Sequence, residues 1–221
     1  MTSAVPDPAR PVAHVEKISE TIARALTHRI VSGSMRGGDR VGQEEIAAEF
    51  SVSQGVVREA FRALEARGLL LSLPRRGVRV PPLDRASVRE LTIMRASLEP
   101  VALRVAITAP SREWFAQAEQ AIVAADGSND IAEWEAANQR FHLALVKGCG
   151  MPRLIRCVED LHLASARYLY ACWEGLAWQA KSQTEHRALL RLIKKGQHEE
   201  ACTLLREHIL AAGTALQAIL P

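Results

Sequence analysis

The stretch that most limits what this chain can fold into runs from Gln43 to Val80. Within it, Ser53 to Leu69 reads SQGVVREAFRALEARGL. Val57, Ala60, Phe61 and Leu64 recur at the spacing of one helix face, which predicts a helix with a buried back. Gln54, Arg58 and Arg62 fall every four residues on another stripe. Ser53 stands where a side-chain oxygen can accept a backbone N–H at the helix start, and Gly68 stands where the chain turns out of the helix. A shorter helix is predicted over Gln43–Phe50, with Glu44 and Glu45 in its first turn, where the helix dipole favours acids. Only Ser51 and Val52 separate the two helices from cap to cap, the spacing of a helix-turn-helix. The segment LLLSLPRRGVRVPP follows. Its alternation predicts a β-hairpin with Arg75 and Arg76 at the tip. An arginine stripe alone is more often a solvated helix face. The tight turn and the basic hairpin shift the balance to a winged helix, whose second helix meets base edges and whose wing meets phosphates or a minor groove. The candidate DNA-binding residues are Ser53, Gln54, Gly55, Arg58, Arg62, Arg75 and Arg76.

At 221 residues, 48% of them hydrophobic, the chain has room for two modest domains with real cores. A first helix over Val15–Val31, with Val15, Ile18, Ile22, Leu26 and Ile30 on one side, completes a DNA-binding domain over residues 15–81. Residues 1–14, MTSAVPDPARPVAH, hold three prolines and no apolar core. They read as a disordered arm rather than a secretory signal. From residue 84 to 221 no strand pattern recurs. Helices are expected over Arg85–Thr108, Ser111–Asp126, Asp130–Lys147, Pro152–Glu174, Trp178–Lys195 and Gln197–Ile219, an all-α bundle. The expected fold class is therefore mainly α: an N-terminal winged helix-turn-helix and a C-terminal helical bundle. No apolar run of about eighteen residues is present, so no membrane span is expected. Cys149, Cys157, Cys172 and Cys202 lack metal-type spacing and read as reduced thiols of a cytoplasmic protein. The net charge of +3 is unevenly placed. Residues 1–82 hold 12 Lys/Arg against 9 Asp/Glu, and residues 83–221 hold 16 against 16. The excess sits where counterion release from DNA would use it.

Within the bundle, histidines fall on inward faces. Asn138 and His142 lie one turn apart in the apolar stripe Ile131, Trp134, Phe141, Leu145. His186 shares a face with Leu189, Leu190 and Ile193, and His208 with Leu204, Leu205 and Ile209. Taken singly, each is more commonly a hydrogen-bonded core residue. Three converging imidazoles would instead suit a divalent metal, which satisfies several buried polar groups at once. With oxygen donors added, Zn, Ni, Mn and Fe all fit. His162, among Leu161, Ser165 and Leu169, is ambiguous and stands outside the expected site. Arg95 shares a face with Leu91 and Leu98. It either pairs with Glu99 one turn on or grips the carboxylate of a ligand.

With these motifs in order, the chain resembles the GntR superfamily of bacterial transcription regulators, in its FadR-type branch with an all-helical FCD effector domain. The resemblance covers Val15 to Leu210. It rests on Glu45-Ile46-Ala47, Val52-Ser53, Val57-Arg58-Glu59-Ala60, Leu64-Glu65, Gly68-Leu69 and Arg75-Arg76-Gly77. In the second half it rests on Arg95 to Pro100, Asn138 to His142, Glu185-His186 and Arg206-Glu207-His208. It implies a homodimer on a palindromic operator, most commonly a repressor, that responds to a small organic acid. It also implies a metal held by Asn138, His142, His186 and His208, with the effector carboxylate completing the metal shell and meeting Arg95. Gln54 replaces the usual base-reading arginine, which favours adenine over guanine at that contact. Ser51 stands where glycine is usual in the turn, and Asn138 where aspartate is common, which removes a negative charge from the site. Two other readings are an apolar pocket for an acyl thioester without metal, and a metal-dependent hydrolase. The second is disfavoured because no Glu or Asp sits at a motif position suited to a general base, so no enzyme is expected.

Overall fold

The computed structural model describes residues 10–128, 130–173 and 179–220. The chain divides into two compact units, residues 1–82 and 83–221. The first holds α1 (Arg10–Val31), β1 (Arg40–Val41), α2 (Gln43–Glu49), α3 (Gln54–Ala66), β2 (Leu71–Leu73) and β3 (Gly77–Arg79). Ile22, Leu26 and Ile30 of α1 are buried and pack toward α3, whose Val57, Ala60, Phe61 and Leu64 are buried in turn. Gln54, Arg58 and Arg62 are exposed on the opposite side of α3. The turn between α2 and α3 closes with Val52 N–H donating to the Ala47 carbonyl at 3.0 Å. Ser51 holds φ 53° there, a left-handed conformation that glycine adopts at no steric cost and serine does not.

Three details of this unit depart from the sequence reading. Ser53 occupies the N-cap position of α3, but its side chain makes no capping bond. Arg40 and Val41, for which no strand was expected, form a third strand, giving the antiparallel order β1-β3-β2 with Val41 opposite Val78. A two-residue strand is too short to show alternation. Residues 1–9 of the expected arm lie outside the described residues, while 10–14 belong to α1. The wing itself follows expectation. Arg76 N–H donates to the Leu73 carbonyl at 3.0 Å across a turn with Arg75 at φ 61°, and Arg75 and Arg76 are exposed at its tip.

The second unit is helical throughout its described residues: α4 (Arg85–Ala106), α5 (Arg112–Asp126), α6 (Ile131–Lys147), α7 (Pro152–Cys172), α8 (Gln179–Lys194) and α9 (His198–Ile219). Asp84, Ser111 and Asp130 cap α4, α5 and α6 by accepting backbone N–H groups, which is why those helices begin where they do. Glu174, Gly175 and Trp178, expected at the junction of α7 and α8, lie outside the described residues. α4 is central and packs on α6, α7 and α9. Its closest approach is to α9, where a Cβ on Gly213 would overlap the Thr92 side chain. Leu103, Phe141, Leu145, Leu189 and Leu205, from α4, α6, α8 and α9, fill one core and leave the histidine side chains beside it. The four cysteines are free, and Cys149, Cys172 and Cys202 are buried. No helix among the described residues is long and apolar enough to cross a membrane.

Candidate metal centre and DNA-facing surface

α6 aligns Trp134, Asn138 and His142 at four-residue intervals, so one line of this helix faces the interior. His142 is 1% exposed, and its Nδ1 lies 2.8 Å from Glu99 Oε2 on α4. His208 on α9 presents its Nδ1 to Glu185 Oε2 on α8 at 2.7 Å. His186 on α8 is fully buried and stacks on Phe141, with ring centroids 3.9 Å apart. Its Nε2 lies 3.3 Å from His208 Nε2 and 3.4 Å from Ser182 Oγ. One nitrogen from each of His142, His186 and His208 lies within 4.8 Å of the others. Asn138 is buried, and its Nδ2 donates to Glu135 Oε2 at 2.9 Å. That bond leaves the carboxamide oxygen as the atom available to a cation.

The donor set suits a metal on chemical grounds. Glu99 and Glu185 each take the Nδ1–H of a histidine, which places the lone pair of His142 and of His208 on Nε2. His186 Nδ1 is buried without a hydrogen-bond partner among the described residues. If His186 carries its proton on Nε2, the Nδ1 lone pair is unmet. If it carries it on Nδ1, that donor is unmet and two lone pairs face each other across 3.3 Å. Both arrangements leave buried polar atoms uncompensated, at a cost of about 1–3 kcal/mol each. A cation between the Nε2 atoms removes the second conflict.

A second cluster adjoins the first. Glu99 is fully buried and receives Arg95 Nε at 2.7 Å, while His162 Nε2 lies 3.1 Å from Glu99 Oε1 and 3.1 Å from an Arg95 terminal nitrogen. His162 is therefore part of the constellation, which the sequence reading did not include. Ser165 and Leu169, one and two turns on, share its inward face and are the signal that was available. Glu185 and Trp134 also stood outside the expected site, and Glu99 was expected only as a partner for Arg95. Two carboxylates do stand beside the histidines, but both are engaged at Nδ1 atoms. Burial pushes Glu99 upward, and Arg95, His162 and His142 together hold it well below the usual carboxylate range. Burial pushes Glu135 to about 7, against the Asn138 hydrogen bond and Arg95. Burial also lowers His142 to about 3 and depresses His162 and His186.

These shifts set a pH dependence. Unfolded imidazoles gain a proton near about pH 6.5, whereas the buried ones gain it only at lower pH. Below pH 6.5 the unfolded chain therefore binds more protons, and stability falls on acidification. The depressed Glu99 acts in the same direction. Glu135 opposes, since its stabilising contribution is lost as pH rises from its unfolded range through about 7. Three imidazoles outweigh one carboxyl. Chelator-treated protein is expected to lose stability between pH 7 and 5, read as a falling Tm. A Tm that is flat or rises on acidification would contradict the buried neutral state.

Beside these clusters lies a cavity lined by Arg95, Asn138, His142 and His208 together with Trp134 and Tyr168. It offers about 40 Å³ to the centre of a water-sized sphere, where one water needs roughly 10–15 Å³ by the same measure. That is room for a compact solute.

On the first unit, Ser53, Gln54, Arg58, Arg62, Arg75 and Arg76 are exposed, and Gly55 is half-buried. A Cβ on Gly55 would make only ordinary contacts, with Ser53 Oγ at 3.6 Å and an Arg58 terminal nitrogen at 3.9 Å. Packing therefore does not require glycine there. Gln54 Nε2 lies 3.5 Å from Glu44 Oε1, a contact at the outer limit of a hydrogen bond.

Residues 18–80 match the family of bacterial regulatory proteins of the gntR type, and residues 90–211 match the FCD domain. The HTH-type transcriptional regulator BphR of Paraburkholderia xenovorans is 31% identical over 211 residues, covering 90% of this chain and 85% of that one. The chain belongs to the GntR family. It is a bacterial transcriptional regulator with an FCD domain, a DNA-binding protein rather than an enzyme. The HTH-type transcriptional repressor GlaR of Escherichia coli is 25% identical over 198 residues, covering 85% of this chain and 90% of its own. A GntR regulator from Rhodococcus sp. RHA1 shares the fold, with a TM-score of 0.79 at 21% identity over 92% of this chain and 99% of that chain.

Proposed function

We propose that this GntR regulator is a metal-dependent sensor of a small organic acid that represses transcription by binding a palindromic operator as a homodimer. The observation that carries the reading is the meeting of His142, His186 and His208 from α6, α8 and α9, with Glu99 and Glu185 orienting two of the rings. Asn138 would supply an oxygen as the fourth protein ligand, and Arg95, at the cavity wall, would take the effector carboxylate through its remaining N–H groups. A divalent ion such as Zn, Ni, Mn or Fe would supply positive charge for the same carboxylate. The compact cavity favours a small acid over an acyl thioester. On the DNA side, Arg58 and Arg62 with Gln54 would enter the major groove, Ser53 and Gly55 would lie close to the backbone, and Arg75 and Arg76 would hold phosphates beside the wing. Repression is the role named for GlaR among the relatives, and two-fold pairing is the common way a helix-turn-helix reads a palindrome.

Substitution of a ligand tests the centre. His208→Ala is expected to lower metal affinity by at least about two orders of magnitude, since it removes one of three imidazoles where even an outer-shell partner accounts for about 10–100-fold. The effector response should disappear with the metal, while operator binding by the N-terminal unit persists. Elemental analysis of wild-type protein purified without chelator checks the premise. Absence of any transition metal, together with no uptake of added Zn, Ni or Mn, would overturn it.

A further inference from the structure

The cavity's hydrogen-bond inventory reaches beyond a generic acid site. Among its polar walls, the Thr92 hydroxyl donates to the Val88 carbonyl at 2.7 Å and the Ser165 hydroxyl to the Leu161 carbonyl at 2.8 Å. The Asn138 amide is committed to Glu135, and the Tyr168 hydroxyl is engaged by Ser87 and the backbone of Asp84. The Trp134 indole differs. It lines the cavity, is 3% exposed, and its N–H has no hydrogen-bond partner among the described residues. An indole nitrogen can only donate, so what it lacks is an acceptor.

Position says where that acceptor lies. Trp134 stands eight residues before His142 on one line of α6, about 12 Å along the helix axis. The indole therefore belongs to the end of the cavity away from the histidines. Val88, Leu91 and Leu216, which line the cavity, pack in one apolar cluster with Trp134. Among the described residues of the lining, Arg95 is the one fixed cation, and it stands with the histidine cluster. Glu135 is buried beside Asn138 on the same helix. A second carboxylate placed toward Trp134 would be desolvated with no cation among the described lining residues to receive it and an acidic group nearby. A neutral acceptor there meets the indole and leaves nothing unpaired.

We propose that the effector is a monocarboxylate whose compact apolar body ends in a neutral hydrogen-bond acceptor received by the Trp134 indole. This rests on the carboxylate-sensing reading and narrows it: diacids are excluded, and Trp134 sets specificity at the far end.

The test uses full-length protein loaded with zinc and two matched probe sets, followed by calorimetry. One set is succinate, its monomethyl ester and hexanoate; the other is glutarate, its monomethyl ester and heptanoate. The monoester of at least one set is expected to bind about tenfold tighter than the alkanoate of equal length, the contribution of one buried hydrogen bond, and tighter still than the diacid. In Trp134→Phe, which keeps an aromatic ring against Trp173, the ester's advantage over the alkanoate is expected to vanish, with zinc content unchanged. A diacid that binds best, or an ester preference that survives in Trp134→Phe, would overturn the assignment of Trp134 while leaving the carboxylate site standing. Failure of every probe to bind zinc-loaded wild type would take down both. If Trp134→Phe melts well below wild type, Trp134→Leu, which likewise carries no donor, replaces it and is read in the same way.

Discussion

Glu99→Ala is expected to destabilise the C-terminal unit by about 3–5 kcal/mol, the usual cost of leaving buried charge without its partner. At roughly 2–4 °C per kcal/mol for a chain of this size, Tm should fall by about 6–20 °C. The reason is the number of groups that share this one fully buried carboxylate. Arg95 meets one oxygen at 2.7 Å, His162 lies 3.1 Å from the same oxygen, and His142 lies 2.8 Å from the other. Removing it strands a guanidinium beside two imidazoles that burial already keeps from protonating. The loss should not be confined to stability. His142 would lose the group that fixes its tautomer, so metal affinity is expected to fall by about 10–100-fold as well. Glu185→Ala provides the contrast. Its side chain is 20% exposed, so the orienting bond to His208 is lost with a smaller drop in Tm. A Glu99→Ala protein that melts like wild type would mean the carboxylate does not hold this cluster together.

The bundle and the winged helix were legible because both are written in periodicity. Val57, Ala60, Phe61 and Leu64 mark a helix face without reference to anything distant, and the punctuating glycines and prolines mark its neighbours. The inward turn of His142, His186 and His208 was legible for the same reason. What periodicity cannot carry is which inward faces meet. Glu99 sits one turn beyond Arg95 and reads as its local partner; that it also meets a histidine on α6 and another on α7 depends on how α4 is seated between them. His162 lies on a helix whose inward stripe is broad, with Ser165 and Leu169 buried alongside it. The stripe alone does not say which neighbour faces the cluster. Trp134 reads as core from sequence, and only an accounting of buried donors separates it from the other aromatics. β1 escaped because two residues have no period. Ser53 shows the reverse: the right residue at the right place, whose side chain nonetheless forms no cap bond.

Arg58→Ala is expected to remove most specific operator binding while leaving the protein folded. Arg58 is exposed on the face of α3 opposite its buried residues. Truncation there should change stability by no more than about 0.5 kcal/mol. A bidentate arginine contact to a base contributes about 1–3 kcal/mol of discrimination, and the proposed homodimer would lose it twice. The combined loss of about 2–6 kcal/mol is roughly thirty-fold to ten-thousand-fold in Kd. Titration of operator and of unrelated duplex, each at several salt concentrations, separates the two roles an arginine can play. If Arg58 reads a base, affinity falls for the operator alone and the salt slope holds. If it contacts a phosphate, both duplexes weaken and the slope drops by about one per protomer. Operator affinity unchanged by Arg58→Ala would take α3 out of the groove, because no other exposed stripe of the described first unit places a carboxamide and two guanidinium groups on successive turns.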